Sequence, residues 1–173
     1  VVAAEVFDEA DTRTWSRLLR NDGLSGFTDV TLPSKLINWE AVTRMGTMGS
    51  KMGASWGDYD NDGWPDLFIA NYGLDELWHN ERDGTFRNVT STAGIAGCFY
   101  CYSTGAVWWD FDQDGDLDLY VSDWLKRNRF FQNDGTGQFS DLSESSGLDD
   151  RRHTFSSLPI DLNEDGLLDL YII

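Results

Sequence analysis

Basic residues are scarce. Lysine and arginine together number 13 against 30 aspartates and glutamates, a formal net charge of −17 over 173 residues. A nucleic-acid partner calls for a basic footprint, so the balance argues against one, and equally against adsorption to anionic lipid. Long apolar runs are missing too; none approaches the roughly 18 residues of a membrane span. Helical periodicity is weak throughout, and the best candidate, SKLINWEAVTRMG at residues 34 to 46, reads as a short helix or a loop. No G-x-x-x-x-G-K-[ST] and no H-E-x-x-H occurs, so the chain is not expected to be an enzyme.

Cysteines number two, Cys98 and Cys101 in GCFYCYSTG. A local disulfide and a pair of free thiols are both open. A thioredoxin-like centre is not expected, because no βαβ pattern surrounds the motif. A zinc site would need a second ligand pair, and the two histidines, His79 and His153, lie far off in sequence. The opening VVAAEVFDEAD has neither Met nor a basic, apolar signal pattern. It reads as a mature chain or an excised fragment whose targeting segment is gone.

What the chain has is apolar mass and repetition. Hydrophobic residues make up 40% and aromatics 14%, enough for the core of one domain or a piece of one. GDYDNDGWPDLFIAN, WDFDQDGDLDLYVSD and IDLNEDGLLDLYII start their acidic runs at Asp58, Asp110 and Asp161. Between them recur NDGLSGFTDVT from Asn21, NERDGTFRNVT from Asn80 and NDGTGQFSDLS from Asn133. The period of about 50 residues is that of propeller blades.

After each acidic loop the residues alternate, with both faces apolar. Leu67 and Ile69 oppose Phe68; Leu117, Leu119 and Val121 oppose Tyr120; Leu168, Leu170 and Ile172 oppose Tyr171. Such strands are covered on both sides, as the inner strand of a blade is. ELWHN or RFFQN follows as the next strand, then an Asp-Gly turn and a last strand. The expectation is an all-β chain, a β-propeller segment of four-stranded antiparallel blades over 1–173. It divides into an outer half-blade (1–31), blades at 53–95 and 105–148, and an inner half-blade (155–173), about three blades in all.

Each loop reads D-x-[DN]-x-D-G-x-x-D. Side-chain oxygens at positions 1, 3, 5 and 9 and the carbonyl of position 7 can converge on one hard cation, with Gly at position 6 allowing the turn. The ligands are Asp58, Asp60, Asp62, Asp66 and the Trp64 carbonyl in the first loop. In the second they are Asp110, Asp112, Asp114, Asp118 and the Asp116 carbonyl, and in the third Asp161, Asn163, Asp165, Asp169 and the Leu167 carbonyl. All-oxygen ligation favours calcium, about three ions per chain. Without a cation, carboxylates this close would repel. An EF-hand would need Glu at position 12, where Ile69, Val121 and Ile172 stand. Asn163 removes one charge, so the third site is expected to be the weakest.

These motifs resemble the FG-GAP/VCBS repeats of integrin-α-type β-propellers. GDYDNDGWPDLFIAN and NERDGTFRNVTSTAGI are similar to the cartilage acidic protein and UnbV/ASPIC group of secreted repeat proteins. The resemblance implies a calcium-stabilised propeller, extracellular or on a cell surface, for adhesion or recognition of a protein or glycan ligand. The Phe-Gly and Gly-Ala-Pro landmarks are degenerate here.

Three blades alone leave open apolar edges. Either the chain is an arc completed by neighbouring repeats of a longer chain, or copies assemble, two of them closing six blades; assembly is the preferred account. Beside the binding module stand two alternatives, a structural building block of a ring or filament, and a propeller-hosted hydrolase or lyase. Asp75, Glu76 and Asp123, at strand ends, are expected to be solvated turn residues. Trp56, Trp64, Trp108 and Trp109 are expected to pack between blades, and Trp39 with Met45, Met48 and Met52 to form a loop on its own blade. Asn88-Val89-Thr90 is a glycosylation sequon, read as an ordinary turn or strand position.

Overall fold

The computed structural model describes residues 16–36, 51–95, 98 and 100–173. A first antiparallel pair joins β1 (Leu19–Asn21) to β2 (Phe27–Asp29). A four-stranded sheet follows, made of β3 (Lys51–Gly57), β4 (Asp66–Asn71), β5 (Glu76–Asn80) and β6 (Phe86–Asn88). The next sheet repeats it with β7 (Ser103–Trp109), β8 (Asp118–Asp123), β9 (Arg129–Asn133) and β10 (Phe139–Asp141). A one-turn helix, α1 (Ser143–Ser146), leads to the pair β11 (Ser157–Ile160) and β12 (Asp169–Ile172). Neighbours in each sheet are neighbours in sequence, so each is a meander that hairpins can close. The chain is all-β, with propeller-like blades.

The strand after each acidic loop was expected to be the inner one; it is second in its sheet. A strand before the loop, β3, β7 or β11, takes the edge. Gly53, Gly57 and Gly105 dilute the strand pattern there. Gly53 and Gly57 are needed for close approach: a Cβ on Gly53 would sit 2.8 Å from the Thr104 carbonyl oxygen, and one on Gly57 2.7 Å from the Trp108 ring.

Alternation along the second strands sorts side chains between neighbouring interfaces. Phe68 and Ala70 of β4 meet Leu119 and Val121 of β8 in the largest core, with Leu77, Ile95, Phe131 and Phe139. Leu67 and Ile69 turn the other way, to Trp78, Phe86, Leu18 and Leu36. Tyr120 turns from β8 toward Leu170 and Ile172 of β12, with Trp109 and Phe130. The expected tryptophan packing holds for Trp109 and, in part, Trp108, but Trp56 and Trp64 are exposed. Trp39, Met45 and Met48, residues 1–15 of the first half-blade and most of the candidate helix at 34–46 lie outside the described residues; Met52 is exposed. Cys98 and Cys101 are joined in a disulfide, with Cα atoms 5.1 Å apart. Among the described residues no helix is long and apolar enough to cross a membrane.

Asp75, Glu76 and Asp123 are not solvated turn residues; all three are buried. Asp75, in the β4–β5 turn, pairs with the Arg129 guanidinium of β9 in the next sheet, and Ser103 Oγ hydrogen-bonds to both. Glu76 accepts from Lys51 Nζ at 2.6 Å and from Trp78 Nε1 at 3.2 Å. Asp123 accepts the backbone amides of Tyr102, Leu125 and Lys126. A buried carboxylate needs such partners. Removing one member of the Asp75–Arg129 pair takes an opposite charge from a buried partner. Asp75→Leu is expected to lower stability by about 3–5 kcal/mol in denaturant melts, and Asp75→Leu with Arg129→Met to recover most of it. Equal losses in the single and double variants would show that the pair does not couple the sheets.

Candidate metal centre

Each acidic loop joins the first strand of a sheet to the second, and its backbone is shaped by the same devices three times. Position 4 (Asn61, Gln113, Glu164) is left-handed, with φ of 56°, 63° and 61°. Position 6 (Gly63, Gly115, Gly166) has φ of 87°, 95° and 87°, where a side chain would be strained. The position 1 carboxylate bridges the turn from inside. Asp58 accepts from the amides of Asp62 and Gly63, Asp110 from Asp114 and Gly115, and Asp161 from Glu164 and Gly166.

The position 9 aspartates open the second strands. Asp66 Oδ1 accepts the Asn80 amide at 2.7 Å, and Oδ2 lies 3.4 Å from the Tyr59 amide. Asp118 accepts the Asn133 and Phe111 amides at 2.8 and 2.9 Å. Asp169 makes the equivalent bond to the Leu162 amide. Asp66 and Asp118 are buried, so each is a structural cap as well as a possible ligand.

The first two loops gather their carboxylates. Oxygens of Asp58, Asp60 and Asp66 lie within 4.8 Å of one another, and so do those of Asp110, Asp112 and Asp118. Position 5 stands apart from these triplets. Asp62 caps the Trp64 amide and takes a two-pronged bond from Arg82, at 2.8 and 2.6 Å, and Asp114 caps the Asp116 amide. The Asp116 side chain accepts from Asn61 Nδ2 of the preceding loop. In the third loop Asp161, Asn163 and Asp165 are held by their own turn, and Asn163 Nδ2 donates to Asp165 at 2.9 Å. Trp64 and Leu167, expected to offer carbonyls, have exposed side chains. Sequence reading missed one participant. His79 Nδ1 lies 3.3 Å from both Asp60 and Asp66. Aligning ELWHN with RFFQN would have flagged it, because Gln132, at the same place in the second repeat, donates to Asp112 at 2.6 Å.

Crowding shows in the acidities. Burial, with the Asp60 charge beside it, pushes the Asp66 carboxyl up to about 6 against the backbone bonds it accepts. Burial does the same for Asp118, to about 6, aided by Asp112 and Asp114. Asp60 is also raised, by burial and then by Asp62. For Asp62 burial acts upward, but Arg82 and the Trp64 amide outweigh it and hold the carboxyl low. A bound divalent cation would stabilise the ionised forms, and the acidic triplets are a donor set suited to one.

The FG-GAP-like repeat pattern matches residues 58–121 and again residues 110–172. The chain belongs to the FG-GAP-like repeat family. It is also 30% identical over 95 residues to cartilage acidic protein 1 of Xenopus tropicalis, a match covering 53% of this chain and 14% of that relative. The two FG-GAP matches overlap at the second loop and between them take in all three acidic loops.

A carboxyl whose folded pKa is raised favours the metal-free fold at low pH. Its contribution is complete below the unfolded value near 3.9 and is lost as pH rises through about 6. In chelator, carbon NMR should show Asp66 and Asp118 titrating near pH 6, and stability should fall between pH 4 and 7 more steeply than in Asp66→Asn/Asp118→Asn. Titration of both groups near 4 would contradict this account of the loops.

Proposed function

We propose that the chain is a calcium-binding segment of an extracellular β-propeller that serves adhesion or recognition of a protein or glycan ligand. The observation that carries the reading is the convergence of Asp58, Asp60 and Asp66, repeated by Asp110, Asp112 and Asp118. These are hard oxygen donors, in the number and kind that suit calcium rather than zinc or copper. Asp62 and Asp114, with the Trp64 and Asp116 carbonyls, complete the two sets when a cation is bound. Asp161, Asn163, Asp165, Asp169 and the Leu167 carbonyl form the third and weakest, its position 3 amide engaged with Asp165.

One feature favours the cell exterior. The Cys98–Cys101 disulfide suits an oxidising compartment. Recognition is preferred to catalysis because ligation accounts for each dense carboxylate cluster.

The outer faces of the arc favour a second reading, as a building block of a larger ring. On the β11–β12 pair Leu158 and Tyr171, which are register partners, are more than half exposed. At the other end Phe27 of β2 is 68% exposed. In this reading a second copy or neighbouring repeats cover these faces, with 53–95 and 105–148 as the complete blades.

Native mass spectrometry in calcium, then in chelator, tests both readings. The expected result is three ions per chain, the third-loop ion leaving first, with Asn163→Asp retaining it longer. A dimer with about six ions supports a closed two-copy ring. A monomer with three points to neighbouring repeats of a longer chain. No bound calcium would overturn the proposal.

A further inference from the structure

The first loop differs from the second by one ligand type. His79, the fourth residue of β5, lies under the loop with its Nδ1 wholly buried and in no hydrogen bond. That nitrogen is 3.3 Å from Asp60 Oδ2 and 3.3 Å from Asp66 Oδ1, neither approach having hydrogen-bond geometry. Asp60 Oδ1 is a second buried atom without a partner. Atoms of His79, Asp60 and Asp62 lie within 4.8 Å of one another, a grouping separate from the all-carboxylate triplet of the same loop. In the second repeat Gln132 stands at this place and satisfies Asp112 with an ordinary hydrogen bond.

The spacing has a simple reading. Two donors bound to one transition ion by bonds of about 2.1 Å are separated by about 3.0 Å at a right angle and about 3.4 Å at a tetrahedral angle. The 3.3 Å separations at His79 Nδ1 fall between these limits. The side chain is held from behind, where its ring meets Tyr59 edge to face with centroids 6.3 Å apart. A cleft of about 170 Å³, lined by Tyr59, Asp60, His79, Arg87 and Gln138 among others, gives access between the two sheets.

We infer that His79 makes the first loop a mixed nitrogen–oxygen site that selects a transition divalent cation of the manganese, cobalt or zinc class. The second loop, with Gln132, keeps only oxygen donors. The inference rests on the reading of the loops as cation sites and adds to it a difference in kind between them. Imidazole is a good ligand for these ions, whereas calcium takes oxygen. One ion occupies the first loop at a time, because Asp60 serves both groupings.

Cobalt(II) is the probe, since its visible absorption and paramagnetic NMR shifts report an imidazole ligand directly. Tag-free protein loaded with calcium is titrated with cobalt(II) while released calcium is counted. The expected result is one tight equivalent, one calcium released, and a shifted imidazole resonance. His79→Gln, which installs the second repeat's residue, should weaken cobalt about tenfold or more and leave the calcium count unchanged. His153→Gln should behave as wild type. Equal cobalt affinity in His79→Gln, or a shifted resonance that disappears in His153→Gln instead, overturns the inference. Calcium binding without tight cobalt binding overturns it alone and leaves the calcium reading standing. Tight His79-dependent cobalt binding without any calcium sustains it and removes that reading.

Discussion

A buried aspartate at the start of the second strand is the constraint on which each blade turns. Asp66 and Asp118 accept the amides of Asn80 and Asn133 across their sheets. They also accept from their own loops, at Tyr59 and Phe111. One carboxylate thus fixes the loop, the second strand and the end of the third strand relative to one another. It does so as an acid in a site of low polarity beside other acids, which costs free energy unless something compensates. In the metal-free fold a proton compensates below about pH 6, because burial raises both carboxyls to about that value. A divalent cation would compensate better, because every carboxylate of the triplet would share it. On the proposed calcium reading the loop is both a structural joint and a binding site, and the two roles cannot be separated by mutation of position 9.

The joints are linked to each other. Asn61 and Gln113, both at position 4 and both left-handed, reach the following loop: Asn61 to Asp116 and Gln113 to the Gly166 carbonyl. Asn133 Nδ2 reaches back to the Tyr59 carbonyl at 2.7 Å. Ordering one loop should therefore help to order its neighbour, through contacts that run along one edge of the arc. On the opposite edge the sheets are held by the Asp75–Arg129 pair and by Thr104 Oγ1 donating to the Thr154 carbonyl. Between the two polar edges lies the apolar interface of Phe68, Leu119, Val121 and Phe131. The polar ties set the register, and the apolar layer contributes most of the adhesion.

Much of this was legible in the sequence because it is local and repeated. Period-two alternation after each loop announces two covered faces, and Phe68 against Leu67 and Ile69 divides between interfaces as the pattern says. The D-x-[DN]-x-D-G-x-x-D spacing announces the turn. What stayed hidden depends on partners far along the chain. Asp75 and Asp123 look like turn residues because acids at strand ends usually are. Arg129, which meets Asp75, is 54 residues away, and nothing local marks the pair. The first strands were obscured for the opposite reason: glycines required by close packing against the next sheet erased the strand pattern that packing usually leaves. His79 was passed over because a lone histidine carries little information until the repeat is aligned against Gln132.

The uncovered ends of the arc obey the rules of its interior. Tyr171 occupies in β12 the place that Phe68 and Tyr120 occupy in β4 and β8, where both are fully buried. Its register partner Leu158, on β11, presents the same face, and Ile160 lies two residues on. The reverse side of β12, with Leu170 and Ile172, already packs against Trp109, Tyr120 and Phe130. A strand pair with one face matched to a neighbour and the other left in water is a half-used design. Apolar area of this kind stabilises only when covered, by about 25 cal/mol per Å², and an exposed strand edge invites pairing with another chain. Leu158 and Tyr171 therefore present to solvent the same kind of face that Tyr120 presents to β12, and a matching strand pair would dock there by the same interdigitation.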